Sequence, residues 1–155
     1  MPDELKTFLL AMTPLGELRL SIPVGISTLD MAWPLVLALS IAGNLLPVPF
    51  LLWGLRTVGA RVERMDNVLG NLLRWRTRTV QERWGARVRR YGFGAIVLIV
   101  AIPLPLTGAW TGSLAVWALH VPAARGLLAI ATGVVIAGAV VTAATRAGIE
   151  LFKLL

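Results

Sequence analysis

Apolar residues along this chain form two long runs and two shorter runs that are interrupted. Residues 32–56 and 122–149 are the long runs, and a helix of either length would cross a hydrocarbon core of about 30 Å. Pro34 and Pro122 stand near their starts, where a helix tolerates a missing amide donor. The pattern predicts two transmembrane helices.

The run at residues 91–119 reads YGFGAIVLIVAIPLPLTGAWTGSLAVWAL and is broken in its middle. Residues 93–101 would form a helix of roughly 14 Å, about half of the hydrocarbon core. Pro103 and Pro105 then remove backbone donors, and Gly108 relaxes the backbone. We therefore predict a re-entrant hairpin, which enters and leaves the membrane on one side. A single proline-kinked crossing is the alternative.

The first interrupted run has the same layout. Residues 3–13 predict a short helix that Pro14 ends, and PLGELRLSIPVGI follows, an irregular centre in which Pro23 and Gly25 precede a short return. The chain thus reads hairpin, crossing, basic link, hairpin, crossing. Two such units of opposite orientation are typical of secondary transporters.

The predicted fold class is an all-α integral membrane protein with an inverted repeat of re-entrant hairpin plus transmembrane helix. The whole chain, 1–155, forms one membrane domain. Repeat one covers residues 3–56, and repeat two covers residues 91–155. A basic amphipathic helix at residues 57–90 joins them.

Composition and charge support this interpretation. The chain is 57% apolar and 15% charged, with a mean hydropathy of +0.77, which excludes an ordinary soluble domain. Ten of its fifteen basic residues lie between positions 56 and 90. The positive-inside rule places this linker in the cytoplasm, at a prokaryotic inner membrane. We expect its arginines to meet anionic lipid headgroups, and we expect no nucleic-acid partner despite Trp75 and Trp84 among them.

Glu17 and Arg19 are the sharpest chemical signal. An ionisable group inside a membrane costs roughly 2.5–3.5 kcal/mol at a helix centre, so it is retained where it is paired or lines a polar path. Glu17 can titrate and couple proton movement, and the Arg19 fork suits phosphate or carboxylate. The alternatives are an interfacial turn with solvated charges and a pair that only locks the hairpin.

The second hairpin offers hydroxyl groups and free amide donors. Amides near Gly108 would attract an anion at a half-helix N-terminus, while the hydroxyls either satisfy carbonyls or bind substrate. Asn44, with Pro47 and Pro49 in the first crossing, is expected to cap broken backbone or reach a hairpin, and His120 to lie at the interface. The predicted substrate-binding or proton-coupling residues are Glu17, Arg19, Asn44, Thr107, Gly108, Trp110 and Thr111, and the predicted hairpin-forming residues are Pro14, Pro23, Pro103 and Pro105.

Enzymatic chemistry finds no support in the sequence. No nucleophile elbow, P-loop, dinucleotide fingerprint or histidine–carboxylate metal cluster occurs, and cysteine is absent. We expect no enzyme activity, no cofactor and no metal.

Three segments carry a resemblance to a known family. ELRLSIPVGI, GNLLPVPFLLWGL and residues 91–119, with IPLP and TGAWTGS as the most specific part, resemble the small multidrug export proteins. The layout is similar to that of DedA-type membrane proteins, some of which are implicated in polyprenyl-phosphate recycling or lipid scrambling. The resemblance implies a transporter with its site between the hairpins.

Three functions follow as hypotheses. The first is small-molecule export, with Glu17 coupled to protons. The second is translocation or scrambling of phosphate-headed lipids held by Arg19 and the second hairpin's amides. The third is a non-transporting membrane scaffold. Two crossings enclose little space, so we predict a homodimer that uses the small-residue face of residues 129–147.

Overall fold

The order of helices in the computed structural model follows the sequence pattern. The structure describes residues 1–102 and 107–154. Its helices are α1 (Asp3–Met12), α2 (Glu17–Pro23), α3 (Trp33–Leu45), α4 (Pro47–Gly54), α5 (Ala60–Glu63), α6 (Val68–Tyr91), α7 (Phe93–Ala101), α8 (Ala109–Ala118) and α9 (Ala123–Leu154). Within those two ranges the chain is all-α and has no strand.

Two long helices are apolar enough to span a membrane. Trp33–Glu63, which joins α3, α4 and α5, and Ala123–Lys153 in α9 have 31 residues each, with mean hydropathies of 2.1 and 2.3. At 1.5 Å per residue each is about 46 Å long, which exceeds a hydrocarbon core of about 30 Å. The two predicted crossings therefore coincide with the two candidate spans.

The first long helix continues past its predicted end at Arg56. It reaches Glu63, through a π-helical turn at Leu55–Gly59. An arginine from the linker satisfies the orphan carbonyls beyond this end, since Arg74 Nη1 donates to Glu63 O at 2.5 Å and to Met65 O at 3.2 Å. The basic residues at 56–63 therefore extend the crossing instead of starting a separate linker helix.

Each long helix is accompanied by a pair of short helices. α1 packs against α2, and α7 packs against α8. The α1–α2 junction is residues 13–16, where the Gly16 amide donates to Thr13 Oγ1 at 3.3 Å. The α7–α8 junction contains Ile102, Thr107 and Gly108 among the described residues. The predictions for Pro103 and Pro105 lie outside the described residues.

The irregular centre predicted from Pro14 to Gly25 was too long. Pro14 lies in the junction, as predicted, but Glu17–Pro23 is helical and Val24–Thr28 continues it as a π-helical turn. Pro23 is therefore not a turn residue. At the last position of α2 it removes only the hydrogen bond to the Arg19 carbonyl, which this short helix tolerates.

Helix α9 is the centre of the packing. It contacts α2, α3, α7 and α8, and Ile130 and Val134 on it are fully buried. The small residues Ala129, Gly133 and Ala137 face inward and let α7 approach closely. The neighbouring row of Ala139, Ala143 and Ala147 is exposed.

The linker helix α6 packs along α8 and α7. Asn67 caps its start by accepting a hydrogen bond from the Gly70 amide at 2.9 Å, as an N-cap residue does. Thr77, Val80 and Val88 form its buried face. The predicted amphipathic linker is thus one helix held against the second pair of short helices.

The close approach of α7 and α9 predicts different effects for two glycines of α9. A Cβ at Gly133 would lie 2.6 Å from Val100 Cβ and 2.9 Å from Val97 O, whereas a Cβ at Gly148 meets open space. We expect Gly133→Ala to lower the free energy of unfolding by about 1–3 kcal/mol through overpacking, seen as a lower melting temperature in detergent. Gly148→Ala, the matched control, should be neutral or slightly stabilising, and equal melting temperatures for the two variants would contradict this packing.

Candidate functional site

The Glu17 carboxylate lies where the two junctions meet. Glu17 is the first residue of α2 and has a positive φ of 46°, yet its side chain is only 6% exposed. Its Oε1 accepts a hydrogen bond from the Trp110 amide at 3.4 Å. The carboxylate also accepts hydrogen bonds from the Ala109 amide and the Asn44 side chain. These amides form the N-terminus of α8, where the helix dipole favours an anion. The amides near Gly108 were predicted to attract an anion, and the Glu17 carboxylate occupies that position.

Arg19 reaches the same junction from the next turn of α2. Its Nη2 donates to Thr107 O at 2.5 Å and to Thr107 Oγ1 at 2.9 Å. The Thr107 hydroxyl in turn donates to Ile102 O at 2.7 Å. Arg19 therefore holds the α7–α8 junction by donating to both the backbone carbonyl and the side-chain hydroxyl of Thr107.

Trp110 returns a contact in the opposite direction. Its indole Nε1 donates to Met12 O at 3.3 Å, a carbonyl at the C-terminal end of α1 that has no partner within the helix. A carboxylate, a guanidinium and an indole among the described residues therefore tie the two junctions together.

Gly108 makes room for the Glu17 carboxylate. Its φ is +133°, a region that side chains disfavour, and a Cβ added there would overlap the carboxylate atoms of Glu17. The predicted role of Gly108 as a site residue thus has a steric basis.

Asn44 lies beside this carboxylate on the first long helix. It is only 1% exposed, and its Oδ1 has no hydrogen-bond partner among the described residues. A buried acceptor without a partner costs about 1–3 kcal/mol, and such groups are few in folded proteins. By contrast, the nearby buried hydroxyls of Ser21 and Ser40 bond to each other at 2.8 Å.

A cleft of about 670 Å³ opens beside the joined junctions. Five predicted residues border it, namely Glu17, Arg19, Thr107, Trp110 and Thr111, as does Pro14. Most of the remaining lining is apolar and comes from Leu15, Leu51, Leu55, Val62, Leu69, Leu72, Leu73 and Leu114. A largely apolar lining that also carries a few charged groups suits an amphipathic ligand.

The linker helix supplies one wall of this cleft, which the sequence analysis missed. Leu69, Leu72, Leu73 and Arg76 line it, and Leu69 and Leu72 are 65% and 51% exposed. Their spacing of i, i+3, i+4 and i+7 places them on one helix face. The spacing of that face is present in the sequence, but spacing alone does not show whether a basic helix faces lipid or lines a cleft.

His120 lies apart from this site. It is exposed, has a positive φ of 56° and does not border the cleft. The site therefore brings together residues from α2, α6, α8 and the first long helix, and not the only histidine of the chain.

The fold and the cleft define a helical protein with two candidate membrane spans and a partly apolar binding site. The chain belongs to the family described as "Putative small multi-drug export protein", whose sequence model matches residues 17–140. Searches of curated proteins and of solved structures gave no match. The family and the two apolar helices together indicate association with a membrane.

The contact between Gly108 and Glu17 predicts a non-additive pair of substitutions. Gly108→Ala should lower the free energy of unfolding by about 1–3 kcal/mol, because it introduces both backbone strain and overlap with the carboxylate. In Glu17→Ala the overlap is gone, so adding Gly108→Ala should cost less. Melting temperatures of the four proteins in detergent measure this, and strictly additive losses would show that the two residues do not touch.

Proposed function

We propose that this protein is an exporter of amphipathic small molecules, with its binding site in the cleft beside the two junctions. Membership of the export family supports the activity. The single observation that carries the site is the buried Glu17 carboxylate at the edge of a largely apolar cleft. We assign Glu17 the role of coupling proton movement to transport.

The coupling follows from what holds the carboxylate in place. As an anion, Glu17 accepts charge-assisted hydrogen bonds from the start of α8 and is stabilised by the helix dipole. Protonation removes the charge and weakens both effects. The contact between the α1–α2 and α7–α8 junctions then loosens, and the cleft between them changes shape.

We propose lipophilic cations as substrates, with Glu17 as the group that attracts them, although Arg19 and Arg76 also line the cleft. Leucines offer a surface for an apolar body, and the carboxylate offers a partner for a positive charge. A cation beside Glu17 would compete with the α8 amides for the same oxygen atoms. Substrate and proton would therefore act on one group, as an exchanger requires.

Glu17→Gln provides the test. The amide keeps an acceptor oxygen and nearly the same volume but cannot release a proton. In proteoliposomes we expect efflux of a cationic dye driven by a pH gradient to fall to the level of empty vesicles. Glu4→Gln, a matched change at an exposed carboxylate in α1, should transport like the wild type. Undiminished gradient-driven efflux by a folded Glu17→Gln protein would exclude this coupling role.

A second candidate function rests on the two arginines of the cleft. Arg19 and Arg76 border the same apolar surface, which also suits a lipid with a phosphate head. The same vesicles should then move a labelled polyprenyl phosphate or phospholipid, and Arg76→Gln should slow that movement, while Arg78→Gln on the exposed side of α6 should not. Movement of neither dye nor lipid would favour the non-transporting scaffold.

The topology belongs to this proposal as well. We propose that both pairs of short helices re-enter the membrane from one side each, in opposite orientations, as the repeated order of two short helices and one long helix supports. The linker helix then lies on the cytoplasmic side of a prokaryotic inner membrane. Half of the small-residue face at 129–147 is buried within the chain, so a homodimer would use its exposed row, Ala139, Ala143 and Ala147.

A further inference from the structure

A second cleft, of about 580 Å³, lies at the other end of α8. The transport cleft borders the start of α8 at Trp110, whereas this one borders its end at Ala118 and Leu119. The end of α6, the start of α7 and the start of α9 complete its walls. Among the described residues, the two clefts share none of their lining.

Basic side chains border this second cleft. Arg89 comes from α6, Arg125 from α9, and His120 from the turn between α8 and α9. Among the described residues that line it, none is acidic. Its electrostatic character therefore favours an anion, and arginine forks are well suited to phosphate oxygens.

The arginines at the end of α6 make two kinds of contact, with aromatic rings and with the second cleft. Arg87 lies 5.0 Å from the Trp84 ring centroid, and Arg90 lies 5.3 Å from that of Tyr91. Arg89, between them, turns toward Gly85 and Leu119 and borders the cleft. It is the member of this group that is placed to bind a ligand there.

The floor of the second cleft is apolar. Phe93 in its lining is about half exposed, and Leu119 and Val121 are partly exposed, next to the buried Ile96 and Ala129. A free inorganic anion would leave this surface unused. A phosphate with an attached acyl chain would cover it and pair with the arginines at the same time.

We propose that the second cleft binds an anionic membrane phospholipid, with the phosphate on Arg89 and Arg125 and an acyl chain along Phe93. The proposal goes beyond the transport function, because the site shares no residue with the transport cleft and needs no movement of substrate. It differs from diffuse attraction of headgroups to the whole linker, because it assigns two named arginines from separate parts of the chain.

Native mass spectrometry of the purified full chain tests this site. The probes are phosphatidylglycerol, phosphatidylcholine and inorganic phosphate. The site variant is Arg89→Gln/Arg125→Gln. The control is Arg78→Gln/Arg83→Gln, which removes two exposed charges of α6 outside the cleft. We expect one tightly retained phosphatidylglycerol on the wild type and on the control. The site variant should bind it on the order of tenfold to thirtyfold more weakly, since each arginine near a membrane surface contributes about 1 kcal/mol.

Each other outcome overturns the proposal. Equal losses in both double variants would show only diffuse attraction, and equal retention of phosphatidylcholine would show no charge recognition. Displacement of the lipid by inorganic phosphate would show that the acyl chain contributes nothing. If the double variant fails to fold in neutral detergent, Arg89→Gln alone, compared with Arg83→Gln, gives the same comparison.

Discussion

The contact between the Glu17 carboxylate and the start of α8 is the constraint on which the rest of the site depends. It joins residues 93 positions apart and removes an ionisable group almost entirely from solvent. Such burial is costly unless the charge is compensated, and here backbone amides and a helix dipole offset part of that cost. Two unusual backbone conformations accompany it, the positive φ values of Glu17 and Gly108. The cleft takes its shape from this contact, because both junctions border it.

The linker helix gives the basic residues of the chain more than one role. Its first half supplies a wall of the cleft beside the two junctions, with Arg76, and its second half supplies a wall of the basic cleft, with Arg89. Other arginines lie over the rings of Trp84 and Tyr91. A dense run of arginine does report topology in membrane proteins, but that rule sums charges and ignores the direction in which each side chain points. The three-dimensional arrangement separates them into cleft-lining, aromatic-stacked and exposed groups.

Local patterns were enough to predict the helices, but not their contacts. Hydropathy located both long helices, and Pro14 located the first junction, because chain length and missing amide donors act within a few residues. Extension of the first long helix to Glu63 depends on Arg74, which satisfies a carbonyl at its end. The helix that begins at Glu17 depends on a positive φ at that residue, which no sequence pattern predicts. Glu17 and Arg19 were recognised as unusual because charge is rare in apolar segments. Their partners, Trp110 and Thr107, could not be predicted, since spacing along a chain does not specify contacts about 90 residues apart.

The two roles considered for Glu17, a structural lock and a coupling group, are compatible in this geometry. A carboxylate at a helix N-terminus gains about 0.3–2 kcal/mol from the dipole, depending on burial, and its hydrogen bonds are roughly twice as strong as neutral ones. Both gains exist only while the group is charged. A change of about 1.4 kcal/mol alters a conformational equilibrium tenfold, so under the proposed coupling loss of the charge would be enough to shift the populations of joined and separated junctions. Under the proposed function, the residue that holds the two junctions together would therefore also be the one whose protonation opens the cleft.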